Sequence, residues 1–372
     1  VIHGHEIKGM SQIAGTTAFQ HAMKAGANVV MGHCFDDQTE ILTPEGWKRH
    51  EELTTDSIVM TLNKDTGKLE WGKVNEVFRY TDFKELIHIR AMGLDLAVTP
   101  GHGLVAKGRY DHEWSYPTAE EAFGKELVIP LAGIHDQEEL PLRDCEIKYL
   151  AWVMAEGSVG PTGYVRIAQS DTPKGGIRDL EQVLDECGYE YSKVLRYRGG
   201  LTEHGTHRNY DAYRYGIKGP EPKELVAKYL DGKSKNPNRN LAGMSSRQAA
   251  LFLAEYAKAD GQRDRLDSSS MQLNSKDREK IDFLQELAAR CGYRSSISGS
   301  EKRKHYTLTI NPRSTVRTNA NSWSREPYSG VVWCVSVDNG TLLVRRNGKT
   351  AITQNTHRLG IRRQTSQYIG GK

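Results

Sequence analysis

A single spacing organises the middle of the chain. The stretch Tyr149-Leu150-Ala151-Trp152-Val153-Met154-Ala155-Glu156-Gly157 has a counterpart in Leu253-Ala254-Glu255-Tyr256-Ala257-Lys258-Ala259-Asp260-Gly261. Glu156 and Asp260 stand 104 positions apart. The same offset relates Gly157 to Gly261, Ile177 to Ile281, Leu180 to Leu284, Cys187 to Cys291, Gly188 to Gly292 and Tyr189 to Tyr293. An apolar helix that ends in an acid and a glycine is ordinary. A register held over the whole segment is not, and it means two copies of one unit related by pseudo-twofold symmetry. Each copy reads helix, strands, helix, and ends in Cys-Gly-Tyr. At the axis the helix ends bring Glu156 and Asp260 together, and Ala151, Ala155, Ala254 and Ala257 are small enough for close approach.

The flanks have a different character. The 36 glycines and 12 prolines predict many turns, hence strands and hairpins. Asp56-Ser57-Ile58-Val59-Met60 and Leu69-Glu70-Trp71-Gly72-Lys73-Val74 flank the turn Asp65-Thr66-Gly67. Leu86-Ile87-His88-Ile89-Arg90 alternates, and Leu94-Asp95-Leu96-Ala97-Val98 leads into Thr99-Pro100-Gly101-His102. Period-two alternation with regular turn signals predicts a compact all-β unit over residues 34–140. Residues 321–355 return to strands around Val331-Val332-Trp333-Cys334-Val335 and would complete that unit. The expected division is therefore 1–33, 34–140, an α+β repeat domain at 141–320, 321–355, and 356–372. At the start, residues 13–27 read as a short amphipathic helix and Asn28-Val29-Val30-Met31 as a strand ending at Gly32-His33.

Charge points the same way. Residues 141–320 hold 30 Lys and Arg against 23 Asp and Glu, while the rest of the chain is net acidic. The positive balance sits where a polyanion would bind. Five scattered cysteines with no CxxC argue against a disulfide framework or a structural zinc site and fit a reducing, cytoplasmic setting in a bacterial or phage-infected cell. No apolar run approaches ~18 residues, so no membrane span and no membrane partner are expected. No signal-peptide pattern opens the chain, and Val1 in place of Met suggests that it begins inside a larger protein.

One further pattern joins the two ends. With residues 34–355 removed, the chain reads Met31-Gly32-His33-Thr356-His357-Arg358. Gly-His-Thr-His resembles the last metal-binding motif of calcineurin-like phosphoesterases, and His3-Gly4-His5 resembles an earlier one. That resemblance implies divalent-metal ligands at His5, His33 and His357 in a short α/β host. The interrupting segment begins with Cys34 and ends with Asn355 before Thr356, as inteins do. Cys34 with Thr39-Glu40-Ile41-Leu42-Thr43 resembles the intein start, and Thr99-Pro100-Gly101-His102 resembles the internal Thr-x-x-His motif of the Hint (hedgehog/intein) fold. The repeated helices resemble those of LAGLIDADG homing endonucleases. The fold these likenesses imply is an all-β Hint domain interrupted by an α+β pseudo-twofold endonuclease.

The resemblance implies two chemistries. In splicing, a cysteine takes the acyl group of His33 as a thioester, His102 protonates the departing amide nitrogen, and Thr99 orients the scissile bond. Asn355 closes a succinimide on its own carbonyl and releases Thr356, whose hydroxyl takes the acyl group before an O-to-N shift restores a peptide. No cofactor is needed. Three positions depart from the usual pattern: Gln354 precedes the terminal Asn where His is common, Cys334 stands where Asp is usual, and Thr341 where His is frequent. Cys334 with Thr356 resembles class 3 inteins, in which this internal Cys attacks first. That class carries Trp just after Thr-x-x-His, where this chain has Gly103, Leu104 and Val105, and it lacks the first Cys. Cys34 and Cys334 both stay open as the first nucleophile.

In DNA cleavage, Glu156 and Asp260 would hold Mg²⁺ for phosphodiester hydrolysis of double-stranded DNA, the intein-less host gene, by a monomer. Strands of each repeat would lie in the major groove, with Arg166, Arg196, Arg198, Lys276 and Arg278 as candidate contacts. Two other readings compete: a metallophosphoesterase with an insertion that never leaves, and an insertion that binds DNA without cutting it.

Overall fold

The computed structural model describes residues 34–355, apart from 82, 174–175, 202–206, 233, 264–269 and 304, and at Arg208, 260–263 and Arg303 it describes the backbone alone. His3, His5, His33, Thr356 and His357, with the helix and strand expected at 13–31, lie outside the described residues.

The strand-rich flanks fold as one interleaved unit. Ile58–Leu62 and Leu69–Lys73 form the expected hairpin, with Leu62 opposite Leu69 and Gly67 at φ +69° in its turn. Glu85–Ala91 pairs with Leu94–Val98. The later strands then fill places between the earlier ones. Trp323–Pro327 pairs with Glu85–Ala91, Val332–Ser336 with Glu76–Tyr80, and Thr341–Arg346 with Glu40 and Ile41. These strands are buried on both faces, beyond what alternation alone would give: Leu86, Ile87, Ile89, Leu96 and Val98 from one flank, and Trp333, Val335 and Val344 from the other, share one core. Neither flank could bury these faces alone.

The repeats fold as helix, two strands, helix, two strands. The first comprises helix Asp144–Glu156, strands Gly157–Val159 and Val165–Ser170, helix Gly176–Cys187, and strands Tyr191–Tyr197 and Ala212–Ile217. The second comprises helix Ser246–Asp260, strands Gly261–Arg263 and Met271–Ser275, helix Arg278–Arg290, and strands Arg294–Ser300 and His305–Asn311. The last two strands of each copy follow the Cys-Gly-Tyr with which the sequence unit was expected to end. Helix Gly176–Cys187 buries Ile177, Leu180, Val183, Leu184 and Cys187, a one-sided stripe. Helix Asp144–Glu156 is apolar on most sides because it is central. It packs on helix Ser246–Asp260, and Trp152 Nε1 donates to buried Glu255 at 2.9 Å across the pair. Gly157 stops it: a Cβ there would lie 2.5 Å from the Val153 carbonyl oxygen.

The two units share a seam. The strands of the second repeat continue into the β unit as one eight-stranded sheet, through Ser296 opposite Lys349 and Ile297 N–H to Gly348 O at 2.9 Å. Buried Arg345 spans it, bound to Glu40 on one side and to Asp282 and Gln285 on the other. His135 takes a hydrogen bond from Arg290 Nε at 3.2 Å, and burial and that guanidinium push its pKa down to about 4. Thr315–Arg317, inside the segment assigned to the repeats, pairs with Val128–Pro130, so pairing with the β unit resumes before residue 321.

Candidate functional site

The first site forms where the two ends of residues 34–355 meet. Phe35 and Trp333 exchange backbone bonds of 2.8 and 2.9 Å, and Phe35 also faces Val98. Antiparallel register then sets Cys34 opposite Cys334 as a non-hydrogen-bonded pair, the closer of the two kinds. Both are fully buried. Burial pushes the Cys34 thiol up, and Cys334 pushes it further. Tyr80, on the strand that pairs with Val332–Ser336, is raised by burial and by both thiols. No sequence signal marks Tyr80, because its place follows from pairing across about 250 residues of chain.

Thr99 holds the first end. Its Oγ1 accepts the Cys34 N–H at 3.1 Å, and its own N–H donates to Cys34 O at 3.0 Å. His102 is buried, with its ring 4.6 Å from Phe35 and Nε2 2.9 Å from Thr353 Oγ1. Thr353 places its one hydroxyl proton on Gly103 O at 3.1 Å. Thr353 was not a candidate from sequence, since a strand threonine carries no signal by itself.

The second end is held by the same loop. Gln354 N–H donates to Gly103 O at 3.0 Å, and a Cβ at Gly103 would lie 2.1 Å from Gln354 Oε1. Asn355 is buried, its N–H on Gly340 O and its Nδ2 on Val337 O, each at 3.2 Å. Thr341, where a histidine is frequent, clamps the backbone of Leu62 instead: Oγ1 donates to its carbonyl at 2.6 Å and accepts its N–H at 2.8 Å.

A second site lies at the ends of the paired repeat helices. Glu156 is half-buried and lines a hollow of about 180 Å³ with Ser158, Arg166, Ala168, Arg196 and Arg214. Helix Ser246–Asp260 ends at Asp260, whose side chain is not among the described atoms. Among the described residues no three His, Cys, Asp or Glu gather as a metal cluster. The donor type still fits Mg²⁺, which takes few protein carboxylates and keeps its waters. Lys235 Nζ donates to Ala155 O at 3.2 Å beside Glu156, from a backbone at φ +56° that non-glycine residues rarely adopt. Of the five basic candidates, Arg198 follows the strand Tyr191–Tyr197, and Arg166 and Arg196 line the hollow. Arg278 does not; it begins a helix, pairs with Asp282 at 2.9 Å and covers the Tyr306 ring. Lys276 sits just before that helix. Arg214 was missed, because strand register alone brings it opposite Ala168.

Residues 247–323 match the family model described as the LAGLIDADG-like domain. Among curated proteins, the chain is similar to the beta subunit of ribonucleoside-diphosphate reductase from Aquifex aeolicus, 22% identical over 87% of this chain and 50% of that protein. It is also similar to a C-terminal section of an RNA polymerase beta subunit from Stigeoclonium helveticum, 37% identical over 20% of this chain and 7% of that protein. The chain thus spans half or less of these relatives. Among solved structures it resembles the AceL NrdHF class 3 split intein (8% identity, 87% of this chain, 98% of that one, TM-score 0.32). It also resembles I-DmoI in complex with DNA and Mn (10% identity, 45% of this chain, 89% of that one, TM-score 0.31). No helix among the described residues is long and apolar enough to cross a membrane.

Proposed function

We propose that residues 34–355 are a self-splicing intein carrying a LAGLIDADG homing endonuclease, and that excision joins His33 to Thr356. One observation carries the splicing half: the loop at 99–103 grips both ends of the segment, Cys34 through Thr99 and Gln354 through Gly103. A peptide bond breaks near neutral pH only if its attackers are pre-positioned, and such positioning is worth effective molarities of order 10⁵–10⁸ M. Cys34 or the facing Cys334 attacks the His33 carbonyl carbon, the C–N bond opens, and His102 returns a proton to the nitrogen. The hydroxyl of Thr356 displaces the thiol. Asn355 Nδ2 then attacks its own carbonyl, closing the succinimide and freeing the Thr356 amine for the final O-to-N shift.

The matched family at 247–323 supports the nuclease half. Glu156 and Asp260 would hold Mg²⁺, which supplies Lewis acidity and an activated water. Lys235 is placed to offset charge that builds on the phosphate. The curated relatives are named for unrelated enzymes, as hosts that share one inserted element would be. The reductase name gives no support to a phosphoesterase host; that part rests on the Gly32-His33-Thr356-His357 junction and its neighbour His5.

Mass spectrometry of freshly expressed protein tests splicing. The expected products are residues 34–355 alone and residues 1–33 joined to 356–372. In Asn355→Ala, no free C-terminal piece should appear, since no other side chain there can form the succinimide. A chain that stays whole would point to a non-splicing insertion.

A further inference from the structure

A cleft of about 540 Å³ opens at the seam, apart from both candidate sites and within the ~300–1,000 Å³ range of small-molecule pockets. From the β unit, fully buried Val105 and Ile352 line it; from the second repeat and the turn after it come Tyr293 and Ser314. Its walls are tied together: Leu131 N–H donates to Ser314 O at 2.8 Å and Gly133 N–H to Ala289 O at 3.0 Å. The lining is apolar and aromatic at a place open to water. Ile134 is 45% exposed and Tyr116 42%, and Trp114 is half-buried. Among the described residues, Lys64 is the one charged side chain that lines the cleft. Its Nζ lies 4.3 Å from the Tyr116 ring centroid, and among those residues it makes no ion pair. Neighbouring charges are engaged or lie outside. Lys68 pairs with Asp136 at 2.5 Å, and Asp65, which acts on Tyr116 through space, does not line the cleft.

We propose that this cleft is a binding site for a flat aromatic anion, of the class of a two-ring aryl carboxylate. Trp114, Tyr116 and Tyr293 offer ring surface, and aromatic pairs gain more than their buried area alone gives. A lone ammonium beside apolar walls selects one negative charge, and a carboxylate accepts its hydrogens as a charge-assisted bond. Capture is non-covalent. Cys291 also lines the cleft, but burial pushes its thiol up to about 12, and its Sγ donates to Ser246 O at 3.3 Å. An occupant would reach the splicing ends from behind. Ile352 stands two residues before Gln354 and Val105 two after Gly103, and Leu104 pairs with Thr353 between them. The site stands on its own lining and needs neither the splicing nor the nuclease reading.

The probe is naphthoate, titrated calorimetrically into the full chain, with naphthalenemethanol as its neutral counterpart. Every residue of the cleft lies within 34–355, so splicing would leave it whole. One naphthoate should bind per chain with a Kd on the order of 0.1–1 mM, and the alcohol about tenfold more weakly. Lys64→Gln, at an exposed position, should bring the acid down to the level of the alcohol. Ser314→Trp, which fills the cleft, should remove both, with the denaturant midpoint as the check on folding. No binding heat from naphthoate up to about 5 mM overturns the proposal. So does equal binding of acid and alcohol to the unaltered chain, or naphthoate affinity that a folded Ser314→Trp leaves unchanged. If Ser314→Trp loses its fold, Lys64→Gln decides alone: naphthoate affinity that it leaves unchanged overturns the proposal.

Discussion

At the scale of single residues, the first site is a set of buried polar groups that share a few hydrogen bonds. His102 Nε2 meets the Thr353 hydroxyl at 2.9 Å, and the same hydroxyl reaches Gly103 O. In Thr353→Val the imidazole loses that partner. The first step, followed as thiol-induced release of residues 1–33, should slow about tenfold or more and shift in pH profile, which a packing defect alone would not do. The Cys34 thiol gives a second expectation. Burial and Cys334 hold it neutral well above the ordinary thiol range, and the thiolate is the attacking form. The release rate should therefore climb about tenfold per pH unit through pH 9 without a plateau. Stability runs the other way. Below the ordinary thiol pKa both states are neutral and nothing changes; above it the unfolded chain ionises first, so stability falls as pH climbs toward the raised native value. A rate plateau near pH 8 would show that Cys34 is not the group being titrated.

At the scale of elements, His135 reports on the seam. Its folded pKa of about 4 lies below the usual histidine value, so the unfolded chain takes up a proton first as pH falls. Its contribution is whole above pH ~6.5 and is lost between there and about 4. Denaturant midpoints should drop across that window, and His135→Gln, which keeps an acceptor for Arg290, should flatten the drop. The elements themselves were legible in unequal measure. The 104-residue register marked both central helices and both acidic ends, because a helix writes its buried stripe into nearby residues. The alternation of Leu86-Ile87-His88-Ile89-Arg90 likewise marked a strand, which lies at Glu85–Ala91. Lateral pairing was not legible. Nothing local says that Thr315–Arg317 joins Val128–Pro130, that Cys334 faces Cys34, or that Arg214 reaches the hollow beside Glu156. Arg278 shows the opposite case: its pairing with Asp282 and its stacking over Tyr306 come from the helix it begins, which the sequence reading of a groove contact did not include.

At the scale of the molecule, the two candidate sites lie apart: one at the loop 99–103, the other at the paired helix ends. They should be separable. Glu156→Gln or Asp260→Asn is expected to abolish cutting of the intein-less host gene in Mg²⁺ while gel-shift affinity and splicing persist, since phosphate contacts supply most of the affinity. Cutting of both strands at the unaltered rate by either variant would make these acids plain helix ends. Separable chemistry does not mean separable scaffolds. The eight-stranded sheet crosses the seam, Gly348 sits with a would-be Cβ 2.9 Å from Ile297, and Arg345 needs Asp282 as well as Glu40. Trimming away the repeat domain thus bares the flank of Lys349–Gln354, the strand that presents Asn355, and strands a buried guanidinium with half its partners. The shortened chain would have to rebuild that border, so the repeat domain also serves as a girder of the β unit.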